Sequence, residues 1–323
     1  MAECDIEDIV NAQWLKDNVL LDVTLTQADG SDYPDALFDQ NIRQAVNTVA
    51  RMLDIEIRHY AVEQERHDFY RPNVDGWFPV GLDKTPLRQM VAFRAEIGSY
   101  PAVDYPLSWV TTTSGVHGKL NIIPSNEGLG LYSHAVTGGM GLYTLHNAHN
   151  YIPGYFSMDY DAGFYFWKGD IVIPDGATSV DVTFPFRLPD RPDVTATVTA
   201  ANGAVGLRAS RVSTSKVTFS VGTAPAGGDM TASVTISGAP FDMLMLVGIY
   251  ASLLPLAVAG DGVLGPGISA QSTSMDGLSQ SIQTTASAMY SAYSARINAI
   301  LSQGKRIEDS LKAKYKTRNV SFI

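Results

Sequence analysis

Apolar residues first recur at a helical interval. Leu37, Phe38, Ile42, Ala45, Val46, Val49, Met52 and Leu53 follow one another at steps of three and four, a stripe that predicts an amphipathic helix over 34–53. Ser31 and Asp32 stand where a cap belongs, and Pro34 suits a first helical turn. A shorter helix is predicted over 6–19, with Ile9, Val10 and Trp14 on one side. Past residue 52 the period changes. Leu53, Ile55 and Ile57 alternate with Asp54, Glu56 and Arg58, which predicts a strand. Thr85-Pro86 then opens a short predicted helix through Leu87, Met90, Val91 and Phe93.

From 101 to 185 the pattern predicts strands, among them 109–113 and 119–123, then aromatic runs at 151–155 and 164–167 bounded by Gly and Pro. Residues 186–240 differ in character, with no aromatic between Phe186 and Phe219. Thr/Val-rich strands at 194–198, 215–221 and 231–236 are separated by Asn202-Gly203 and by 225–228, which predicts an inserted β-sandwich-like domain behind the linker 188–192. The run 241–259 is the most apolar. It is broken by Pro255 and lacks a positive flank, so it reads as a buried helix rather than a membrane span. Beyond a Gly/Ser loop, Leu278, Ile282, Ala286, Met289, Tyr293, Ile297, Ile300, Leu301, Ile307, Leu311 and Tyr315 keep helical spacing. That predicts a helix of about 40 residues, on the order of 60 Å, which needs a partner along its length. The expected fold is α+β in four stretches: a helical segment with following strands (1–100), an antiparallel β region (101–185), the inserted small β domain (186–240), and a helical segment ending in the long amphipathic helix (241–323).

Composition narrows the function classes. Apolar residues make up 45% of 323, enough for a sizeable core. A net charge of −10 disfavours a general nucleic-acid binder. The single cysteine, Cys4, excludes an intrachain disulfide framework and a Cys-rich zinc site. Glu3, Asp5, Glu7 and Asp8 carry the wrong sign for a signal-peptide start, so a soluble, cytosolically made protein is expected.

Candidate chemistry is thin. His146 and His149 lack further ligands at a recognisable spacing. Asp159-Tyr160-Asp161 has no closing Glu of a calcium loop, and Asp29, Asp32 and Asp35 precede a helix, where acids favour the dipole. The glycines at 128–130 and 138–141 are not followed by Gly-Lys-Ser/Thr, and Gly-x-Ser-x-Gly does not occur. Arg58, Arg66, His67 and Arg71 form a mild basic-aromatic segment that reads first as a solvated sheet face. No catalytic set, metal site or cofactor site is therefore expected. The C-terminus stands out instead. Lys305, Arg306, Lys312, Lys314, Lys316 and Arg318 face only Glu308 and Asp309, a local +4 in an acidic chain, and Lys312, Lys314, Lys316 and Arg318 form a candidate docking end.

One stretch is distinctive: Gly267-Ile268-Ser269-Ala270-Gln271-Ser272-Thr273-Ser274-Met275-Asp276-Gly277-Leu278-Ser279-Gln280-Ser281-Ile282 and on to Ala288. It resembles a segment of virion structural proteins of contractile-tailed bacteriophages. Tyr160-Asp161-Ala162-Gly163-Phe164, Pro255-Leu256, Ala259-Gly260-Asp261, Lys314-Tyr315-Lys316, Arg66-His67-Asp68-Phe69-Tyr70 and Pro106-Leu107-Ser108-Trp109-Val110 add to the likeness, which spans about half the chain and is most specific in its last third. The pattern at 34–58 is also similar to head–tail adaptor proteins, whose helices line a ring beneath the portal. The resemblance implies a neck protein of the virion, made in the host cytoplasm, that forms a homo-oligomeric ring (a dodecamer by family analogy). Such a ring connects portal to tail and gives passage to DNA, with the portal protein and tail-terminator or other neck proteins as partners and no membrane. Leu278, Ile282, Ala286, Met289, Tyr293 and Ile297 are the candidate subunit-interface residues, beside the small residues Ser287, Ala288, Ser291, Ala292 and Ala295 that permit close packing. The 186–240 segment departs from the resemblance. Three other readings remain: a tail or baseplate component; a carbohydrate-binding adhesion protein, disfavoured by the aromatic-poor insert; and a hydrolase.

Overall fold

A computed structural model describes residues 3–21, 23, 25, 31–70, 79–96, 103–123, 151–264, 268–274, 279–284 and 293–316. Helices α1 (Ile6–Ile9) and α2 (Ala12–Leu15), a π turn (Lys16–Leu20) and α3 (Asp35–Leu53) come first. Strands β1 (Tyr60–Tyr70), β2 (Pro79–Gly81), β3 (Leu87–Ala95), β4 (Val103–Asp104), β5 (Val110–Ser114), β6 (Lys119–Ile122) and β7 (Tyr151–Ala162) follow. Next are β8 (Phe166–Ile173), β9 (Ser179–Thr183), β10 (Asp193–Ala200), β11 (Arg208–Val212), β12 (Lys216–Ser220) and β13 (Met230–Ser237). Helix α4 (Phe241–Leu264), strands β14 (Ile268–Ser274) and β15 (Ser279–Thr284) and helix α5 (Ser294–Tyr315) complete the order. The architecture is thus mixed helix and antiparallel sheet, and it divides into two units. Residues 55–238 with Glu3 form a β unit, while residues 4–54 and those from 239 on form a helical unit. The two ends of the chain belong together, an arrangement that a division into consecutive stretches does not express.

In the helical unit, α3 forms where the stripe predicts it and buries Phe38, Ile42, Ala45, Val46, Val49 and Leu53. Asp54 ends it in a left-handed conformation at φ 58°. The strand expected over 53–58 does not form: Leu53 still belongs to the helix, and Ile55 and Ile57 are buried without a ladder. The helix expected over 6–19 is broken at Val10, after which the Asn11 side chain accepts the Trp14 N–H at 2.9 Å and restarts it. From α5, the Arg296 guanidinium donates to the Val19 carbonyl at 2.9 Å, pinning the end of the π turn. Helix α4 buries Met243, Leu246, Val247, Ile249 and Leu256 and packs on both α3 and α5. Its Gly248 leaves room for the π-turn region, since a Cβ there would lie 2.7 Å from the Trp14 ring. The stretch 241–259 is the one helix among the described residues long and apolar enough to cross a membrane. More than half of it (56%) is buried in the unit, as in a core helix.

The long C-terminal helix is shorter than predicted. Strands β14 and β15 pair antiparallel as a hairpin, and α5 covers 22 residues, about 33 Å.

The β unit holds two cores. The four-stranded sheet β1-β7-β3-β4 and the three-stranded sheet β2-β6-β5 share the first, where Phe69, Phe93, Tyr105, Trp109, Tyr155 and Phe156 meet edge-on, tilted or stacked. Residues 87–95 form strand β3, not the helix expected there. Sheets β10-β13-β8 and β11-β12-β9 face each other over the second core, built from Trp167, Ile171, Ile173, Val217, Phe219, Met230, Val234 and Ile236. Alternation along β13 sends Met230, Ala232, Val234 and Ile236 inward and leaves Thr231, Ser233 and Thr235 half-exposed. The sandwich uses the predicted strands at 194–198, 215–221 and 231–236, and it also takes in β8 and β9, which precede residue 186.

Candidate functional site

Two places combine placement with chemistry. The first is the run α4–β14–β15–α5 in the helical unit. The hairpin pairs Gln271 with Ile282, Ser272 with Ser281 and Thr273 with Gln280, and it is a sheet of two strands only. Both outer edges therefore lack a third strand among the described residues, and an isolated two-stranded hairpin is marginal in water. Helix α4 leads into it with an apolar step on its surface: Leu254 is 54% and Val258 43% exposed, one turn apart.

The interface candidates from the sequence fall unevenly here. Ile282 lies in β15 rather than on a helix, and Tyr293 is the N-cap residue of α5. Ile297 is wholly buried, facing its own unit. Leu278, Ala286 and Met289 lie outside the described residues, as does Arg318 of the docking end. Lys314 and Lys316 are exposed at the end of α5, where cations complement the helix dipole. Lys312 hydrogen-bonds Glu308 one turn earlier, and that bond raises its pKa. Glu308 also accepts from the Tyr250 hydroxyl of α4 at 3.4 Å. Glu308 thus ties α5 to α4 with Lys312 bonded to it, and Lys314 and Lys316 are the exposed cations of the described end.

The second place is the β1–β7 edge of the four-stranded sheet. Arg66 pairs with Glu96, and His67 Nε2 lies 2.8 Å from Glu65 Oε1. Asp68 accepts from the Tyr151 hydroxyl and the Gly154 N–H, each at 2.7 Å. Among the described residues the basic-aromatic segment is therefore interleaved with acids and presents no basic patch; Arg71 lies outside them. Asp159 holds Arg94 at 2.8 Å, and Asp161 receives Gln89 and stands 3.0 Å from His59, so the acids of this strand are engaged in pairing. His146, His149 and the glycine clusters lie outside the described residues. Among the described residues no group of three His, Cys, Asp or Glu side chains converges as a metal site would require.

Glu65 is the most enclosed acid there, its side chain 8% exposed. Oε1 accepts the Asp83 N–H at 3.0 Å and Oε2 accepts the Tyr160 hydroxyl, which itself accepts the Lys84 N–H at 2.9 Å. Burial alone would raise the Glu65 pKa, but the bonds from His67, Tyr160 and Asp83 outweigh it and bring the pKa below its usual 4.5. Both oxygens are engaged in joining β1, β7 and the turn at 83–84. A carboxyl depressed in the folded state stabilises fully above 4.5, and that contribution fades as pH falls through the folded value. Glu65→Gln is expected to cost about 1–2 kcal/mol at pH 7. In urea unfolding at stepped pH, the gap to the native protein should narrow below 4.5; a gap that is constant with pH contradicts the role of the ionised form.

Sequence reasoning did not flag Glu65 or the buried Arg88. Arg88 owes its setting to Glu3, and Glu65, beside its neighbour His67, to Tyr160 and Asp83, contacts that leave no local signature.

No protein-family model matches this chain, and a search of curated proteins finds no match either.

Proposed function

We infer that this protein is a structural component of a phage virion, a homo-oligomeric ring of the neck that connects portal to tail and gives passage to DNA. The observation that carries the reading is the hairpin β14–β15, a sheet of two strands that follows α4 and precedes α5 along the chain. It is the part of the chain whose sequence most resembles virion proteins of contractile-tailed phages. A strand pair with two open edges gains stability when a neighbour adds a strand, and a ring provides that neighbour at every position. Such a contact is heterologous, and a rotation that closes makes of it a ring of identical joints. The exposed Leu254 and Val258 give the same neighbour an apolar footing, and Lys314 and Lys316 suit an acidic surface on the adjoining ring.

Native mass measurement tests this directly. The expected result is one closed multiple of 34.9 kDa, twelvefold if the family analogy holds. A chain that stays monomeric at high concentration and is missing from particles overturns the proposal. Labelled chain located at the distal tail would move the assignment to a tail or baseplate component.

A further inference from the structure

Three turns meet at one end of the sandwich, and one of them carries a reactive pair. Asn202-Gly203 is the one Asn-Gly step in the chain, and both residues are exposed. They are the central residues of a turn in which the Ala204 N–H donates to the Ala201 carbonyl at 2.8 Å, with φ 42° at Asn202 and 81° at Gly203. Positive φ at both marks a type I′ turn, which this dipeptide favours. Two bonds of Asn202 tie the turn to segment 225–229. Its carbonyl accepts the Ala226 N–H at 2.8 Å, and its side-chain amide donates to the Asp229 carbonyl. The third turn joins through Asp229 Oδ1, which accepts the Asp175 N–H at 2.9 Å, and through the Pro225 carbonyl, which accepts the Gly176 N–H at 3.0 Å. The Asn202 amide is thus the only side-chain donor among these bonds. The Gly203 N–H has no acceptor among the described residues.

We propose that position 202 is a site of self-modification that records each opening of this end of the sandwich. When the turn lets go, the Gly203 nitrogen can reach Asn202 Cγ, and glycine, without a Cβ, hinders that approach least. A bond forms between Gly203 N and Cγ, the Cγ–Nδ2 bond breaks, and ammonia leaves with the proton that the Gly203 nitrogen gives up. Water then opens the five-membered imide at either carbonyl and leaves aspartate or isoaspartate at position 202. In the closed fold the reaction is held back, because the bonds to Ala226 and Asp229 and the Ala204–Ala201 bond fix both the side chain and the backbone around it. The product cannot restore the closure. A carboxylate has no hydrogen to donate, and it faces the Asp229 carbonyl oxygen as a second acceptor. The hydrogen bond that delays the reaction is therefore the one the reaction destroys, and each conversion is one-way. The inference is independent of the neck reading.

Peptide mapping of the full chain, kept in mildly alkaline buffer with and without urea, tests the proposal, with ammonia exchanged for water at position 202 as the readout. The unfolded chain should convert fastest. The native protein should follow roughly ten- to a hundredfold more slowly, a gap set by the free energy of local opening. Gly228→Ala should narrow that gap severalfold, since a Cβ there would lie 3.2 Å from Asn202 Nδ2, closer than such contacts normally come. Gly227→Ala is the control: φ is again positive, +81°, but no atom lies within 4 Å of the new Cβ, so the rise should be smaller. Asn202→Asp, which supplies the carboxylate outright, should melt about 2–4 °C below the native protein. Four results would each overturn the proposal. They are equal rates in native and unfolded chain, no conversion of native protein over about a hundred half-lives of the unfolded chain, no greater rate in Gly228→Ala than in Gly227→Ala, or an unchanged melting temperature in Asn202→Asp.

Discussion

Gly163→Ala is expected to destabilise the β unit by roughly 3–5 kcal/mol, lowering its melting temperature by about 10 °C or more. The residue sits just past the end of β7 at φ +105°, a backbone region that L side chains rarely adopt. Its N–H donates to the Pro86 carbonyl at 2.9 Å, and the next N–H, of Phe164, donates to Ile57 at 3.2 Å. The chain is therefore held from both sides where the first core gives way to the second. A Cβ here would lie 2.1 Å from the Arg58 carbonyl oxygen, which is backbone and cannot swing aside. Strain and overlap add. Gly176→Ala separates them: φ there is +76°, but no atom lies within 4 Å of the new Cβ. That variant should lose only the backbone contribution, about 1 kcal/mol. Thermal unfolding that places both variants together would mean the close approach at Gly163 relaxes at little cost.

What the sequence revealed depended on whether a pattern was local. Helix α3 was readable because its stripe and length agree, although its N-cap is Pro34, without a side-chain cap bond, rather than Ser31 or Asp32. So were β12 and β13, where alternate residues turn inward, and β10, whose sequence alternates although its register shifts between Val198 and Ala200. Strand β3 was misread as helix for a physical reason. Register shifts between Leu87 and Gln89 and between Met90 and Ala92 break its alternation, and the apolar spacing 87, 90, 93 then imitates a helical turn. At 53–58 the alternation was real, but Asp54 ends a helix there, and Glu56 and Ile57 make single backbone bonds, to Thr85 and Phe164, rather than a ladder. Over 279–284, Ile282 fell on the helical spacing by coincidence among Ser, Gln and Thr. The union of the chain's two ends in one helical unit has no local trace at all. The same holds for the buried pairs at Glu65 and Arg88, which depend on contacts remote in sequence.

Disrupting the hairpin should have the largest effect on assembly. Replacing 268–284 by a short Gly/Ser linker is expected to leave the helical content and the β unit intact while abolishing the proposed ring, so that the mass falls towards that of one chain, 34.9 kDa before the replacement. Deletion alone does not say which edge matters, but single prolines do. Neighbouring residues of a strand send their N–H groups to opposite sides, one towards the partner strand and one towards the open edge. Ser272→Pro and Thr273→Pro therefore remove one donor of each kind from β14, whose partners in β15 are Ser281 and Gln280. The inward proline weakens the hairpin itself. The outward one leaves the β14–β15 pairing in place and blocks only the addition of another strand. Loss of ring mass in both variants would place the neighbouring copy on the β14 edge. Loss in the inward variant alone would place it on the β15 edge, with the hairpin still the element that joins copies. Rings that form normally in both, and in the deletion, would remove the hairpin from assembly and with it the observation on which the neck reading stands.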